Sequence, residues 1–236
     1  MRGSRRRGRW LVLAGLLVVF AGMAAAIIEL STRSPETGKA RIEGIGDAQQ
    51  IFGGVRQEGD RLGSPDAPVS IQVFDDMQCS SCREQFLATI PPLVEDYVRP
   101  GEVKLEYRHY SFSPLVAELS FLGAEAAADQ DYSWPYIYLF FRNQDEAERL
   151  GIDEQFLATI AGSIPEVDIP AWQDYLRGEG QVGGEIRERL DGYEELGSGL
   201  GIRAEPAAIV SGPGGTRTLQ DTPDLAEITA AIEAVG

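Results

Sequence analysis

The chain has 236 residues, of which 43% are hydrophobic and 25% are charged, a composition typical of a globular protein. Its 37 acidic residues outnumber 21 basic ones, and the net charge of −16 argues against nucleic-acid binding, because an acidic surface repels phosphates. One histidine and two cysteines are too few for a zinc site with the usual four ligands, so we expect no metal.

Residues 1–30 combine five arginines with an uncharged stretch from Trp10 to Ile28. As a helix this stretch would be about 28 Å long, close to the hydrocarbon thickness of a bilayer. It predicts a signal anchor that enters the lipid bilayer and places the rest of the chain outside the cytoplasm. A cleaved signal peptide, which would leave a secreted protein, is the alternative, because Ala24–Ala26 offers small residues for cleavage. Residues 31–50 lack a sustained apolar period and are predicted to be a polar linker.

Strand and helix patterns alternate after the linker. Val69–Phe74 favours a strand, and residues 80–97 show the apolar spacing of an amphipathic helix. Two consecutive prolines predict a kink or a break in this helix near Ile90, because proline has no N–H to donate. Val103–Tyr107 alternates in the manner of a second strand.

From residue 114 to residue 196 the pattern changes to short helices without a strand signal. Five helices are predicted there: Val116–Ala128, Trp134–Asn143, Glu154–Ile160, Ala171–Arg177 and Glu185–Leu196. Ala207–Val210, a glycine-rich turn and Thr216–Leu219 then predict a hairpin. A last helix is expected over 224–235, with Asp221 or Thr222 as its cap.

The only two cysteines, Cys79 and Cys82, lie three positions apart where the first strand gives way to the first helix. A helix N-terminus favours a thiolate at Cys79, whereas Cys82, one turn further in, is expected to be more buried. We therefore predict that Cys79 exchanges disulfides and that Cys82 resolves the mixed disulfide, with the redox-active Cys79–Cys82 pair as the only redox group and no cofactor. An inert structural disulfide is the alternative, although so small a loop would stabilise the fold only modestly.

The segment Phe74–Cys82, together with Gly63–Val69 before it, resembles the DsbA-type thioredoxin-fold proteins of bacterial cell envelopes. The resemblance implies an α/β thioredoxin fold, formed by residues 51–113 and 197–236, with an inserted all-helical domain over 114–196. It also implies disulfide exchange with unfolded or partly folded extracytoplasmic proteins and a membrane redox partner that recycles the cysteine pair.

A loop before the late strand carries a second part of the resemblance. Gly201–Ala207 is similar to the loop that holds the family's cis-proline, so the resemblance implies that Pro206 faces the cysteines and helps to bind extended substrate peptide. Glu205 stands where relatives usually carry Thr or Val. Its carboxylate would oppose a thiolate at Cys79 and make the protein a milder oxidant, or alternatively it points into water.

The chain departs from the family pattern near the cysteines. Ser80 and Ser81 replace the Pro-His pair of the strongest oxidants, so no imidazole within the motif stabilises the thiolate. Val73 occupies a strand position where relatives often have a buried acid that shuttles protons to the resolving cysteine. We expect Asp75 or Asp76 either to take over this relay or to form a solvated turn. Asp76 and the two serines are therefore predicted to modulate the site.

His109 is the only histidine, and it is predicted to be a surface or packing residue rather than a general base. The aromatic residues of the second helix in the helical segment are expected to be core, with a peptide-binding groove as the alternative.

Two competing functions are a binding or assembly module with a structural disulfide and metal delivery through the two thiolates. The latter lacks further ligands nearby. Oxidase, reductase and isomerase directions remain open at this point.

Overall fold

The structure, a computed structural model, describes residues 40–111, 114–178 and 181–236. The predicted signal anchor over 1–30 and the first part of the predicted linker lie outside these residues. Within the described part, none of the helices has both the length and the apolar character needed to cross a bilayer.

One sheet contains six strands in the order β1-β2-β4-β3-β5-β6. The strands are β1 (Gln57–Glu58), β2 (Arg61–Leu62), β3 (Val69–Asp75), β4 (Val103–His109), β5 (Ala207–Gly212) and β6 (Gly215–Leu219). β3 runs parallel to β4 and antiparallel to β5, and β5 and β6 form the predicted hairpin. The β1–β2 hairpin was not predicted, because two-residue strands carry no periodic signal.

Helices lie near both ends of the described chain and make up most of the stretch between β4 and β5. They are α1 (Ile45–Phe52), α2 (Ser80–Leu93), α3 (Pro114–Ala128), α4 (Ser133–Arg142), α5 (Gln144–Leu150), α6 (Glu154–Ala161), α7 (Ile169–Arg177), α8 (Gln181–Gly199) and α9 (Leu225–Val235). The five helices predicted between 114 and 196 are present as α3, α4, α6, α7 and α8. α5 was missed, because its sequence is almost entirely polar. α9 is capped by Asp224, not by Asp221 or Thr222.

The predicted polar linker over 31–50 is wrong from Ile45 onward, where α1 begins. Ala48 and Phe52 lie four positions apart on one face of this helix and are both buried. The ring of Phe52 packs against Tyr138 with a centroid distance of 5.8 Å. Two buried side chains in one short helix give too weak a pattern to separate it from a linker.

Of the kink or break predicted near Ile90, the break is wrong. α2 continues through Pro91 and Pro92 to Leu93 and passes directly into a π-helical turn over Val94–Val98. The N–H of Val94 donates to the carbonyl of Ile90, so helical hydrogen bonding resumes immediately after the prolines. The buried face of α2 holds the helix together where the two proline N–H groups are missing.

The core connects the helical segment to the sheet through aromatic rings. The aromatic residues of α4 are all buried, which confirms that they belong to the core: Trp134, Tyr136, Tyr138, Phe140 and Phe141. Phe86 of α2 lies 4.9 Å from Phe141 and 6.0 Å from Trp134 between ring centroids. The helix that carries the cysteines is therefore packed directly against the helical segment.

Candidate active site

Cys79 is the N-cap residue of α2, with extended backbone angles of φ −80° and ψ 125°. Its Sγ accepts a hydrogen bond from the backbone N–H of Cys82 at 3.3 Å. This is the position that a Ser, Thr, Asp or Asn oxygen usually occupies, because the first N–H groups of a helix lack carbonyl partners. A half-buried sulfur here faces the positive end of the helix dipole, as the sequence predicted.

The two serines of the motif occupy different environments. The hydroxyl of Ser81 lies 3.0 Å from the Sγ of Cys79, within hydrogen-bonding distance. Ser80 is exposed to solvent. The structure thus brings one of the two predicted modulating serines to the reactive sulfur and turns the other away.

Cys82 is fully buried, with no exposed surface. Burial raises the pKa of its thiol, and the charge of Asp75 and a hydrogen bond with Cys79 raise it further. A visiting protein can reach the half-buried sulfur of Cys79 but not that of Cys82. This asymmetry matches the predicted division into an exchanging and a resolving cysteine.

Asp75, at the end of β3, is completely buried, and neither of its carboxylate oxygens has a hydrogen-bond partner of ordinary geometry in the described part of the chain. Burial raises the pKa of Asp75 well above its usual value, and Asp76 and Glu205 raise it further, while the thiol of Cys82 opposes the shift. The protonated form is therefore favoured. The alternative of a solvated turn is wrong for this residue.

Asp76 holds the loop that leads to Cys79. Its carboxylate accepts hydrogen bonds from the backbone N–H of Gln78 at 2.8 Å and from the hydroxyl of Ser111 at 2.6 Å. Only 7% of its surface is exposed, so a solvated turn is wrong here as well. The side chain acts as a local turn cap, and it is Asp75 that lies beside Cys82.

His109 ends β4 and pairs with Asp75 in the parallel register of the two strands. It is buried, and its ring lies 5.0 Å from that of Phe121. Burial lowers the pKa of His109 to about 4, although the charge of Asp76 opposes the shift. The expectation of a packing residue is confirmed, whereas a surface position is wrong.

The Glu205–Pro206 peptide bond is cis, as the family resemblance implies. Ala207 pairs with Phe74 across β5 and β3, so the preceding Pro206 lies at the end of the sheet where Asp75 ends its strand. Glu205 is half-buried, and burial, followed by the charge of Asp76, raises its pKa. The structure thus places the predicted proline loop at the end of the sheet that holds Asp75 and Asp76.

Gln144 is a site residue that the sequence did not reveal. Its side-chain Nε2 donates to the carbonyl of Met77 at 2.9 Å and to the carbonyl of Cys79 at 3.2 Å. The residue begins α5 and is 2% exposed. Through it, the helical segment is hydrogen-bonded to the backbone of the loop that carries Cys79. Its position 65 residues from Cys79 leaves no local signal in the sequence.

No group of three or more His, Cys, Asp or Glu side chains suited to a metal occurs among the residues that the structure describes.

A family model described as Thioredoxin matches residues 56–170. The probable disulfide bond formation protein D of Bacillus cereus is 27% identical over 157 residues, which cover 64% of this chain and 69% of that protein. Disulfide bond formation protein D of Bacillus subtilis is 24% identical over 174 residues, or 73% and 74% of the two chains.

Solved structures show the same architecture. BdbD from Bacillus subtilis superimposes with a TM-score of 0.62 at 22% identity, over 76% of this chain and 95% of that one. The alpha-DsbA1 protein of Wolbachia pipientis gives a TM-score of 0.60 at 15% identity, over 75% and 89% of the chains. The chain has the thioredoxin fold of DsbA-type proteins. It is accordingly a thiol-disulfide oxidoreductase.

The match to the thioredoxin family model and the DsbA-like fold confirm the resemblance and the fold class that the sequence predicted. Proteins of this type exchange disulfides through a cysteine pair. In this chain Cys79 and Cys82 lie at the start of α2, with three residues between the end of the central strand β3 and Cys79. The boundaries of the thioredoxin part and of the inserted helical part at 113 and 197 remain a prediction.

Proposed function

We propose that the chain exchanges disulfides with protein substrates through a Cys79-Ser80-Ser81-Cys82 redox centre. One observation carries this proposal: a half-buried sulfur caps α2 and accepts the N–H of Cys82, whose own sulfur is fully buried. Backbone N–H groups and the helix dipole stabilise negative charge on the outer sulfur, and burial disfavours it on the inner one. Cys79 therefore meets the substrate and Cys82 closes or opens the internal disulfide.

In the oxidising direction, a substrate thiolate attacks Sγ of Cys79 and the Cys79–Cys82 bond breaks. The electron pair of this bond passes to the sulfur of Cys82, which takes up a proton. A second substrate thiolate attacks the substrate sulfur of the mixed disulfide, and Cys79 leaves as a thiolate. The substrate loses two thiol protons and two electrons, the cysteine pair gains the electrons, and the reducing direction is the reverse.

Asp75 supplies the proton that Cys82 takes up, in place of the acid absent at Val73. It is buried and its raised pKa favours the protonated form. The charge of Asp75 raises the pKa of the Cys82 thiol, and a hydrogen bond with that thiol opposes the shift of Asp75, so the two groups interact directly. Two groups that each disfavour a buried negative charge share one proton more readily than either releases it to water. Asp76 is less suited, because its carboxylate is committed to Gln78 and Ser111.

The protein is a milder oxidant than the strongest members of the family. The motif carries two serines and no imidazole. Glu205 adds a carboxylate to an end of the sheet that already holds Asp75 and Asp76, as the raised pKa of Asp75 indicates. Negative charge around the pair opposes the thiolate, which destabilises the reduced form and lowers the oxidising power.

The substrates are unfolded or partly folded proteins outside the cytoplasm, and Pro206 helps to hold their extended chains beside Cys79. Residues 1–30 anchor the catalytic domain to the lipid bilayer, or are removed to release it, and residues from 31 to about 44 link the two. A membrane redox partner recycles the cysteine pair. These statements rest on the arginine-flanked apolar stretch and on the relatives, which are named disulfide bond formation proteins.

The test is catalysis by the full-length chain in both directions, through insulin reduction with a dithiol and through oxidation of a dithiol peptide. We expect activity in at least one direction, loss of both activities in Cys79→Ala, and accumulation of a mixed disulfide with substrate in Cys82→Ala. Equilibration of the cysteine pair with glutathione then decides between oxidant and reductant. Absence of both activities in the unaltered chain would favour a binding module with a structural disulfide.

A further inference from the structure

Polar contacts do most of the work of holding α8 to the rest of the fold. Within its described residues 188–199 only Gly197 is buried, so little apolar surface of the helix is packed against the core. Tyr193 donates its hydroxyl to the carboxylate of Asp60 at 3.2 Å, and the centroid of its ring lies 5.3 Å from Cζ of Arg108. An element with few buried apolar contacts opens at a lower free energy than the core does.

A second polar contact joins α8 to a buried carboxylate on α3. Glu125 is 5% exposed, and its carboxylate accepts a hydrogen bond from the guanidinium of Arg189. The side chain of Arg189 is 47% exposed, so its charge is partly screened by water. One half-exposed cation replaces only part of the hydration that a buried carboxylate loses.

The cluster around Glu125 contains more carboxylates than cations. Arg108 of β4 forms ion pairs with both Asp60 and Glu106, so its charge is divided between two acids. With the pair of Glu125 and Arg189 added, three carboxylates share two guanidinium groups. Uptake of one proton would balance these charges, and Glu125 is the most deeply buried of the three acids.

The groups that act on Glu125 come from three further elements. Burial raises the pKa of Glu125 to about 7, the charge of Arg189 on α8 opposes this shift, Asp60 in the β1–β2 turn adds to it, and Arg108 opposes it. The phenols of Tyr193 and of Tyr175 on α7 face Arg189 and are uncharged near neutral pH. Glu125 is thus the group of this cluster that changes charge near pH 7.

Opening of α8 would give this carboxylate access to water, where the pKa of a glutamate is about 4.3. The closed form then keeps a proton that the open form has released between about pH 4 and about pH 7. This difference favours the closed form at low pH, and the advantage is lost as pH rises through about 7. The ion pair with Arg189 offsets part of the cost of burying the charge, not all of it, because the pKa of Glu125 stays raised.

We propose that Glu125 and Arg189 form a pH-sensitive latch between α3 and α8, and that α8 opens more readily as pH rises above neutral. The latch lies outside the redox loop and is independent of disulfide exchange. It adds to the proposed function a conformational change that the acidity of the surroundings controls.

The last turn of α8 transmits this change to the loop of Pro206. Gly197 lies against the ring of Tyr110 so closely that a Cβ at this position would be 2.5 Å from Cε2 of the ring. The hydroxyl of Tyr110 donates to the carbonyl of Ile202 at 3.4 Å, in the loop that leads to Pro206. Opening of α8 therefore removes a packing partner of the residue that holds this loop.

The experiment is hydrogen exchange of the full-length protein at pH 6, 7 and 8, read by mass spectrometry. The rate for peptides over 188–200 is divided at each pH by the rate of an unstructured peptide of the same sequence, because exchange itself is base-catalysed. We expect the open fraction of α8 to rise about tenfold from pH 6 to pH 8, as a pKa of about 7 in the closed form and about 4.3 in the open form requires. Amides of the core helix α2 should exchange more slowly at every pH.

Two variants and a control assign the effect. Glu125→Gln keeps the shape of the side chain without its titration, so the ratio between pH 8 and pH 6 should fall close to one. Arg189→Gln removes the cation that opposes the shift, so the ratio should exceed tenfold. Glu188→Gln removes a charge from an exposed position of the same helix and should leave the ratio at about tenfold.

An open fraction that stays constant or falls as pH rises would overturn the latch, and so would a tenfold rise that survives Glu125→Gln. Loss of the pH dependence in Arg189→Gln would also overturn it, because an ion pair alone would then hold the helix. Exchange of α8 at the same corrected rate as α2 would show that the helix opens only when the whole domain unfolds, and would contradict the proposal. The readout involves no cysteine, so neither result bears on disulfide exchange.

Discussion

The hydroxyl oxygen of Ser81 lies 3.0 Å from the sulfur of Cys79, at the point where the first turn of α2 closes over its own N-cap. The same sulfur accepts the backbone N–H of Cys82. Two donors of this kind stabilise a thiolate more than a thiol, because hydrogen bonds to a charged acceptor are stronger than those to a neutral one. Ser81 thus supplies part of the thiolate stabilisation that an imidazole supplies in stronger oxidants.

Replacing Ser81 by Ala should lower the thiolate population of Cys79 at neutral pH. We expect alkylation by iodoacetamide to slow by about threefold to tenfold, the range for loss of one hydrogen bond to a charged group that water partly replaces. Ser80→Ala is the matched control, because it removes the same hydroxyl from an exposed position. Equal slowing in both variants would contradict a specific role for Ser81.

Removing the charge of Glu205 should make the protein a stronger oxidant. Glu205→Thr, and Glu205→Gln as the variant of closer shape, should shift the equilibrium with glutathione toward the reduced protein by about threefold to tenfold, because one opposing carboxylate disappears. Glu233→Gln removes the same charge from an exposed position on the last helix and serves as the control. If the equilibrium constant stays at the value of the unaltered protein, Glu205 points into water and does not act on the site.

In the reducing direction, Asp75→Asn should slow the step in which Cys82 passes its proton to Asp75 and resolves the mixed disulfide. An amide can neither donate nor receive the proton in the way a carboxyl group does, so we expect a rate reduction of at least about tenfold. Rapid quenching with acid during turnover would show the mixed disulfide accumulating. Asp76→Asn alters a neighbouring charge while keeping an acceptor for Gln78, and it should resolve the mixed disulfide faster than Asp75→Asn. The same delay in both variants would count against Asp75 as the group that exchanges a proton with Cys82.

Asp75→Asn should also change how the free energy of unfolding depends on pH. Burial raises the pKa of Asp75 in the folded state, so the folded protein keeps a proton that the unfolded chain releases above about pH 4. The contribution of this group to stability is therefore full below that pH and is lost as pH rises toward the folded pKa.

Urea unfolding at several pH values measures the difference between Asp75→Asn and the unaltered protein. This difference should move in favour of the variant as pH rises from about 4 to about 7. Glu125, whose pKa burial raises to about 7, is present in both proteins and cancels in the comparison. A difference that is independent of pH would show that Asp75 titrates normally.

Much of the fold was predictable because its elements carry local signals. The apolar spacing of α3, α4, α6, α7 and α8 and the alternation in β3, β4 and the β5–β6 hairpin all appear in the structure close to their predicted bounds. The elements that were missed have weak patterns of their own. α5 buries only Gln144 and Ala147, and α1 buries only two residues, so each depends on partners elsewhere in the chain.

The proposed redox pair was identifiable without coordinates, because the spacing of Cys79 and Cys82 at a strand-to-helix junction is a property of a few consecutive residues. Long-range pairing was needed to find their neighbours. Asp75 and Asp76 are adjacent in the sequence, yet the charge of Asp75, the last residue of β3, acts on Cys82, whereas the carboxylate of Asp76, the first residue after the strand, is hydrogen-bonded to Gln78 and Ser111. Gln144 reaches the carbonyl of Cys79 because the aromatic core packs its helix behind the loop, and burial of that kind depends on residues far apart in the chain.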